Sequence, residues 1–496
     1  MGQPRKLSEL GLSARNGDAR AMITGITLDS RAVRPGFLFA ALPGTRVHGA
    51  EFITFALRMQ AGAILTDRAG AALAAQALAQ YPDVALVVAE DVRAAFAMTA
   101  ALWFGAQPPQ IVAVTGTNGK TSVASFTRQI WDGMGHGAIN IGTTGVEGSW
   151  ATPLAHTTPD ALTLHRILAE AMAAGITHAA MEASSHGLDQ RRMDGVRLAA
   201  AGFTNLSQDH LDYHPDMEAY FQAKCGLFTR LLPEDAPAVI NVDDAAGARL
   251  ARMLDDRPVL RVGSTAECDL QMLAQRFSQH GQEIRFAIQG KVYQVKLSLV
   301  GGFQAANALL ALGLVLATGA HAVEAMAMLP NLRGVRGRMQ LAATRTSGAP
   351  VFVDYAHTPA AVETALTALR PHVMGRLIVV LGAGGDRDRA KRPLMGRAAV
   401  ERADVVYVTD DNPRSEDPAE IRRAVLSGVP EDKEVNEVGD RAEAILRGVD
   451  ALLPGDALLI LGKGHEQGQI IGDTVYPFDD LEQASVAVAA LDGRRK

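Results

Sequence analysis

The stretch Val112-Ala-Val-Thr-Gly116-Thr-Asn-Gly119-Lys120-Thr121-Ser122 limits the possible folds more than any other part of this chain. Residues 111–114 are β-branched, apolar and uncharged, the composition of a short buried strand. That strand enters a turn whose glycines carry no Cβ, so successive N–H groups can converge on one phosphate. Lys120 supplies a positive charge for the β- and γ-phosphates, and the Thr121 hydroxyl is a hard oxygen suited to Mg²⁺. A helix over 122–134 aims its positive end at the same point. Strand, glycine turn and helix in that order predict a nucleotide-binding corner. The motif departs from the full phosphate loop at Val114, where a glycine is expected six residues before the lysine, so it is the shorter Gly-x-x-Gly-Lys-Thr.

At 496 residues the chain exceeds a single core, and about three domains are expected. A formal net charge of −6 excludes a broad polyanion partner, so neither nucleic acid nor an anionic membrane is expected. Two cysteines, Cys225 and Cys268, make no disulfide framework and suit a reducing cytoplasm. The first residues lack the apolar run of a signal peptide. The most apolar long stretch, 308–320, is shorter than a bilayer span and is interrupted by Gly313, Thr318 and Gly319, which predicts a buried helix rather than a membrane span. A monomer is expected.

Residues 1–107 read as one α/β unit closed by Gly105-Ala-Gln-Pro-Pro109. Strands are expected over 26–28, 36–42, 63–66 and 84–88, and helices over 50–62 and 92–104, the latter capped by Asp91. Ser30 and Arg31, at a strand end, and Thr45-Arg46-Val47, after Gly44, could contact a ligand or simply form turns.

Residues 108–338 repeat strand, loop and helix, the rhythm of a parallel sheet covered on both faces. Polar clusters fall at the carboxyl ends of the strands, where such sheets bind ligands. His156-Thr157-Thr158-Pro159-Asp160 can be explained locally as a helix cap by either threonine. Glu182, ending an apolar strand in Met181-Glu-Ala-Ser184-Ser-His-Gly187, is placed to ligate Mg²⁺ opposite the phosphate loop. Gln190 and Arg192 follow at reach of the same pocket. His210 and His214 are four apart, but the Glu of a zinc motif is missing and Pro215 follows, so zinc is rejected. Lys224 as an ammonium cannot bind a metal and reads as solvated or phosphate-contacting. Residues 259–300 alternate like a few antiparallel strands, Asn307 opens the apolar helix, and Arg336 and Arg338 sit in a glycine–arginine linker.

Residues 339–496 form a second α/β unit. Its strands end in Asp354-Tyr-Ala-His-Thr-Pro, Gly382-Ala-Gly-Gly-Asp-Arg387, Asp411-Asn412-Pro413-Arg414 and Gly462-Lys-Gly-His-Glu466, which together make a site more economical than four unrelated turns.

Thr115-Gly-Thr-Asn-Gly-Lys-Thr121, the 181–187 motif, Thr204-Asn-Leu-Ser-Gln-Asp-His-Leu-Asp-Tyr-His214 and the 354–359 motif together resemble the Mur ligase family of peptidoglycan synthesis, over residues 27–466. The likeness is to the member that adds the third peptide residue. Asp411-Asn-Pro-Arg414 is similar to the family motif for meso-2,6-diaminopimelate; lysine-adding members lack that arginine. The resemblance implies three domains: a UDP-binding α/β domain (1–107), a central parallel-sheet phosphate-loop ATPase domain (108–338) and a Rossmann-like α/β domain that binds the amino acid (339–496). Leu28, Ser30, Thr45, Arg46 and Val47 would hold the uridine diphosphate end of UDP-N-acetylmuramoyl-L-alanyl-D-glutamate, and Thr157, Thr158, Ser184, Gln190 and Arg192 its muramoyl-dipeptide. Gly116, Thr117, Asn118, Gly119, Lys120, Thr121 and Ser122 would bind ATP, joined by Asn307, Arg338 and Asp354. Mg²⁺ would be held by Thr121, Glu182, His210 and a carbamylated Lys224, and Lys120, Glu182, His210 and Lys224 would carry catalysis. Arg387, Asp411, Asn412, Pro413, Arg414, Gly462 and Glu466 would clamp diaminopimelate. An acyl phosphate is the expected intermediate. His156 departs from the family, where an asparagine is expected before the paired threonines.

Overall fold

The computed structural model describes residues 3–18, 20–44, 47–154, 156–211, 213–278 and 280–493. The chain divides into two compact units, residues 1–262 with 310–326 and residues 263–309 with 327–496.

In the first unit, the strands Gly25–Thr27, Phe37–Ala40, Ala63–Thr66 and Ala85–Val88 pair in sequence order, all parallel. Asp91 caps the helix Val92–Phe104 as expected, its carboxylate accepting from the Ala94 N–H. The expected helix over 50–62 is shorter: a 3-10 turn, Gly49–Phe52, leads into Ile53–Arg58. At the first strand end Asp29, not Ser30 or Arg31, makes the cap.

The larger sheet of this unit runs Val259–Gly263, Ala238–Asn241, Ala200–Phe203, Gln110–Thr115, His178–Glu182, Ala138–Gly142 and Gly145–Gly148 in space, only the last antiparallel to its neighbour. Gln110–Thr115 lies between two parallel partners, with Ala113 opposite Met181 and Val114 opposite Gly202. Ile111, Val112, Ala113 and Val114 are all buried, which explains their uniformly apolar composition. Each such valine or isoleucine removed from water contributes about 1.5–3 kcal/mol. The following helix starts at Lys120, two residues before the expected position, because left-handed Gly119 serves as its cap. Phe126, Ile130 and Trp131 bury its inner face.

Asp160, rather than Thr157 or Thr158, caps Ala161–Ala173; its carboxylate accepts from the Thr163 N–H at 3.0 Å. That releases both threonines to turn away from the helix.

The second unit contains an antiparallel set, Leu270–Ser278, Gly281–Ile288 and Lys291–Leu297, as the alternation predicts. Its main sheet runs Gln340–Thr344, Pro350–Asp354, Ala457–Leu461, Leu377–Ala383, Val405–Asp410 and Asn436–Glu437, parallel except at the first pairing. Period-two alternation divides its side chains between two cores. Phe352, Val379, Leu381 and Leu459 pack with the helices Pro359–Leu369 and Lys391–Arg402. Val351, Val353, Val380 and Leu458 pack with Arg441–Asp450 and Asp480–Gly493. Asn307, expected as a helix cap, is buried inside Phe303–Ala317, where its Nδ2 donates to Gln304 Oε1 at 3.1 Å.

Arg441 and Asp480 form a fully buried pair at 2.7 Å, and Arg441 also donates to the Leu461 carbonyl at the end of a central strand. Asp480→Ala leaves that guanidinium buried without its counter-charge and is expected to cost about 3–5 kcal/mol. Denaturant unfolding of the full chain measures this; a loss below about 1 kcal/mol contradicts the structural role assigned to the pair.

Candidate active site

In the first unit, three strand ends converge at the phosphate loop. Gly116 has φ +143°, and a Cβ there would stand 1.8 Å from Thr204 Oγ1, so both the conformation and the space demand glycine. The loop is braced from behind by Thr204, which follows the neighbouring strand: its hydroxyl donates to the Asn118 carbonyl at 2.6 Å. Asn118 N–H donates to Asn205 Oδ1 at 3.0 Å, and Thr117 N–H to the Asn205 carbonyl at 2.8 Å. Lys120 Nζ folds back onto the carbonyls of Gly116 and Thr117 at 2.9 and 2.8 Å. Ser122, at the start of the helix, is buried.

Glu182 ends the strand beside the loop and is 2% exposed. Its Oε2 accepts from Thr121 Oγ1 at 3.0 Å, and its Oε1 from the Thr143 N–H at 2.8 Å. Thr143 Oγ1 lies 3.3 Å from Glu182 Oε2 and 3.0 Å from Thr157 Oγ1. Sequence reasoning passed over Thr143; its signal was the turn Gly142-Thr-Thr-Gly145 at another strand end. The pair Thr121 Oγ1 and Glu182 Oε2 offers two hard oxygens in a buried setting, a donor chemistry that suits Mg²⁺.

Thr158 Oγ1 donates to the Glu182 carbonyl at 2.8 Å and accepts from the Ser184 N–H at 3.0 Å. Arg192 donates to the Thr158 carbonyl at 2.7 Å and to Gln190 Oε1 at 2.8 Å. Ser184 caps the short helix Ser185–Asp189. Thr157, Thr158, Ser184, Gln190 and Arg192 are therefore brought together along one edge of the Glu182 loop.

The solvated reading of Lys224 is overturned: the residue is 1% exposed, on the helix Met217–Gly226. Its Nζ donates to the Gly116 carbonyl at 2.7 Å and stands 4.4 Å from the centre of the Tyr220 ring. Burial, with the Lys120 charge beside it, holds this amine well below the ordinary lysine range. Tyr220, one helical turn earlier, reaches Thr117 Oγ1 at 3.2 Å; its i, i+4 spacing from Lys224 was the available signal.

His210 meets this cluster at Tyr220, whose ring its own faces edge-on at 6.1 Å. Its side chain is 42% exposed, at φ +54°, with its Nε2 3.6 Å from Asp209 and its ring edge-on to His186 at 4.8 Å. Among the described residues, no group of three or more His, Cys, Asp or Glu is close enough to hold a metal. Leu28 packs on the N-terminal core, Ser30 is nearly buried and Val47 is half exposed, whereas Thr45 and Arg46 lie outside the described residues.

In the second unit, the expected loops also converge. Asp354 is buried and accepts from the N–H groups of Met339 and Ala356 at 2.7 and 2.8 Å; burial raises its pKa against the pull of Arg338. The Arg338 guanidinium lies 4.7 Å from the centre of the Tyr355 ring. Gly462, at φ +116°, lets Asp411 Oδ2 approach to 2.4 Å from where a Cβ would be. Asn412 Nδ2 donates to Glu466 Oε2 at 2.8 Å. Pro413 crosses Gly385, whose added Cβ would strike the Pro413 carbonyl at 1.9 Å. Arg414 adopts φ +51°; its guanidinium donates to the Gly385 carbonyl at 2.7 Å and its main chain pairs with the hairpin Gly468–Ile471 and Thr474–Pro477. Arg387 is exposed on the loop that follows the strand Leu377–Ala383.

Three family profiles match the chain: "Mur ligase family, catalytic domain" over 22–103, "Mur ligase middle domain" over 114–315, and "Mur ligase, glutamate ligase domain" over 337–464. A protein of Brucella melitensis named UDP-N-acetylmuramoyl-L-alanyl-D-glutamate–2,6-diaminopimelate ligase is 47% identical, with 98% of each sequence covered. A solved structure of a ligase of the same name matches with TM-score 0.72 and 32% identity over 99% of both chains. The MurF ligase of Thermotoga maritima in complex with ADP shares the fold, with TM-score 0.61 and 19% identity over 95% of this chain and 98% of its own.

Proposed function

The chain belongs to the Mur ligase family, and from that membership we propose how its residues carry out the reaction. It is an ATP-dependent amide ligase that adds 2,6-diaminopimelate to UDP-N-acetylmuramoyl-L-alanyl-D-glutamate in peptidoglycan precursor synthesis. The buried Thr121–Glu182 pair, directly behind a glycine loop that can cradle phosphate, carries the mechanistic reading.

The γ-carboxylate of D-glutamate attacks the γ-phosphorus of ATP and displaces ADP, giving an acyl phosphate. The diaminopimelate amine then attacks the acyl carbon; phosphate leaves and the amine gives up its proton. Several anions meet in the first step, so charge neutralisation dominates the barrier. Lys120 and the N–H groups of 116–122 bind the phosphates. Thr121, Glu182 and a carbamate on Lys224 would hold Mg²⁺, which would supply countercharge to those phosphates. His210 would complete that set. Asn307, Arg338 and Asp354 bind the rest of the nucleotide. The low pKa of Lys224 supports carbamylation, because only a neutral amine attacks CO₂; the nitrogen forms the new bond and releases a proton.

The uridine diphosphate is taken by Leu28, Ser30 and 45–47, and the muramoyl-dipeptide by Thr157, Thr158, Ser184, Gln190 and Arg192. Diaminopimelate is held by Arg387, Asp411–Arg414, Gly462 and Glu466, with Arg414 paired to the distal carboxylate that lysine lacks. Domains 1–107, 108–338 and 339–496 divide this labour, a division supported by the three matched segments. The enzyme works in the cytoplasm as a monomer; among the described residues no helix is long and apolar enough to cross a membrane.

ADP release with UDP-N-acetylmuramoyl-L-alanyl-D-glutamate tests this reading, with meso-diaminopimelate, L-lysine or L-glutamate as the amine. Only diaminopimelate should support fast turnover, by roughly a hundredfold or more, and Arg414→Ala should abolish that preference. Undiminished selectivity in the variant refutes the role of Arg414. Lys224→Ala should be nearly inactive and regain activity with short carboxylic acids; no rescue refutes the carbamate.

A further inference from the structure

Lys463 lies in the loop after the strand Ala457–Leu461, and its side chain is completely buried. A buried ammonium is tolerated only where acceptors replace the water it has lost. Two of them are residues of the amine clamp: Asn412 Oδ1 at 3.0 Å and Glu466 Oε2 at 3.4 Å. Asn412 Oδ1 also accepts from the Ile470 N–H at 2.9 Å, which occupies both of its lone pairs. Asn412 Nδ2 must then face Glu466, and it donates to the same Oε2 at 2.8 Å.

We propose that Lys463 is a positioning residue for diaminopimelate, whose buried ammonium fixes which atoms of Asn412 and Glu466 are left for the incoming amino acid. With Lys463 in place, the Asn412 amide cannot flip, and it offers a substrate only its second Nδ2–H. Glu466 has Oε2 engaged by both neighbours and presents Oε1 to a substrate ammonium. The amide donor therefore suits a carboxylate and the acid oxygen suits an ammonium, the two groups carried by each amino-acid end of diaminopimelate. Without Lys463, the Asn412 oxygen keeps only the Ile470 N–H and Glu466 loses the cation that orients it, so the pair is free to shift as a unit away from the substrate. The inference rests on the reading of this loop as the diaminopimelate site.

Lys463→Met keeps most of the stem and removes the charge. Steady-state ADP release is measured with each substrate varied in turn. KM for diaminopimelate should rise on the order of tenfold or more, while KM for ATP and for the sugar nucleotide stays within about twofold. Combining Lys463→Met with Glu466→Gln should raise KM little beyond the larger single effect, since one residue acts through the other. An unchanged KM for diaminopimelate, a rise in all three KM values together, or effects that multiply in the double variant overturns the proposal. If Lys463→Met does not fold, Lys463→Leu, which also offers no donor, takes its place: an elevated KM for diaminopimelate alone supports the proposal and a normal one overturns it. An unaltered chain that ignores diaminopimelate would overturn the substrate reading and this inference together; where it responds, the variants bear on Lys463 alone.

Discussion

A charge buried at the end of a strand, behind the apolar and fully buried Ala179, Ala180 and Met181, must be matched by partners, and the first unit is arranged around that demand at Glu182. An uncompensated carboxylate there would cost several kcal/mol. The Thr121 hydroxyl, the Thr143 N–H and the Thr143 hydroxyl satisfy it, and they tie two different pieces of chain to the same point. Thr121 begins the phosphate-loop helix; Thr143 begins the turn after the next strand and holds Thr157. Gly142 is forced by the same packing, since a Cβ there would stand 2.0 Å from Glu182 Oε1. One carboxylate thus aligns the phosphate loop with the residues proposed for the peptide substrate, and leaves oxygen donors where a hard cation is needed.

The second unit uses the same device with the opposite sign. There the buried charge is Lys463, and its partners are Asn412 and Glu466. Arg414 belongs to the same construction: its left-handed backbone is sustained by hydrogen bonds from Arg414 N–H to the Ile470 carbonyl and from Gly472 N–H to the Arg414 carbonyl. A non-glycine residue at such a φ is strained by roughly 1–3 kcal/mol, and strain of this kind persists where surrounding contacts enforce it. Each unit therefore places its least comfortable residues at the strand ends proposed to hold substrate.

Patterning made the elements legible, and isolated residues did not reveal their partners. Runs such as 111–114 and 457–461 gave their strands because burial on both faces leaves no room for polar residues. Asp91 was legible as a cap because its helix begins beside it. The cap at Ala161 was misread because Thr157, Thr158 and Asp160 are all good capping types, and only the fold shows that Glu182 draws Thr158 away. Lys224 looked solvated because a lysine on a helix usually is; its burial depends on the Gly116 carbonyl, distant in sequence. Thr143 and Tyr220 touch the site through other side chains, and their local marks, a glycine-flanked turn and an i, i+4 spacing, are weak; the partner Asn412 that buries Lys463 is distant in sequence. The resemblance to a family supplied what spacing left open, above all the proposed carbamate that would turn Lys224 from a cation into a metal ligand.

The account stands on direct activation of the peptide carboxylate by ATP. The most direct measurement uses UDP-N-acetylmuramoyl-L-alanyl-D-glutamate carrying ¹⁸O in the D-glutamate γ-carboxylate, with ATP and meso-diaminopimelate, and follows the label by ³¹P NMR of the released phosphate. Attack of that carboxylate on the γ-phosphorus predicts one ¹⁸O atom in each phosphate formed from fully labelled substrate. Amide formation with unlabelled phosphate would contradict it.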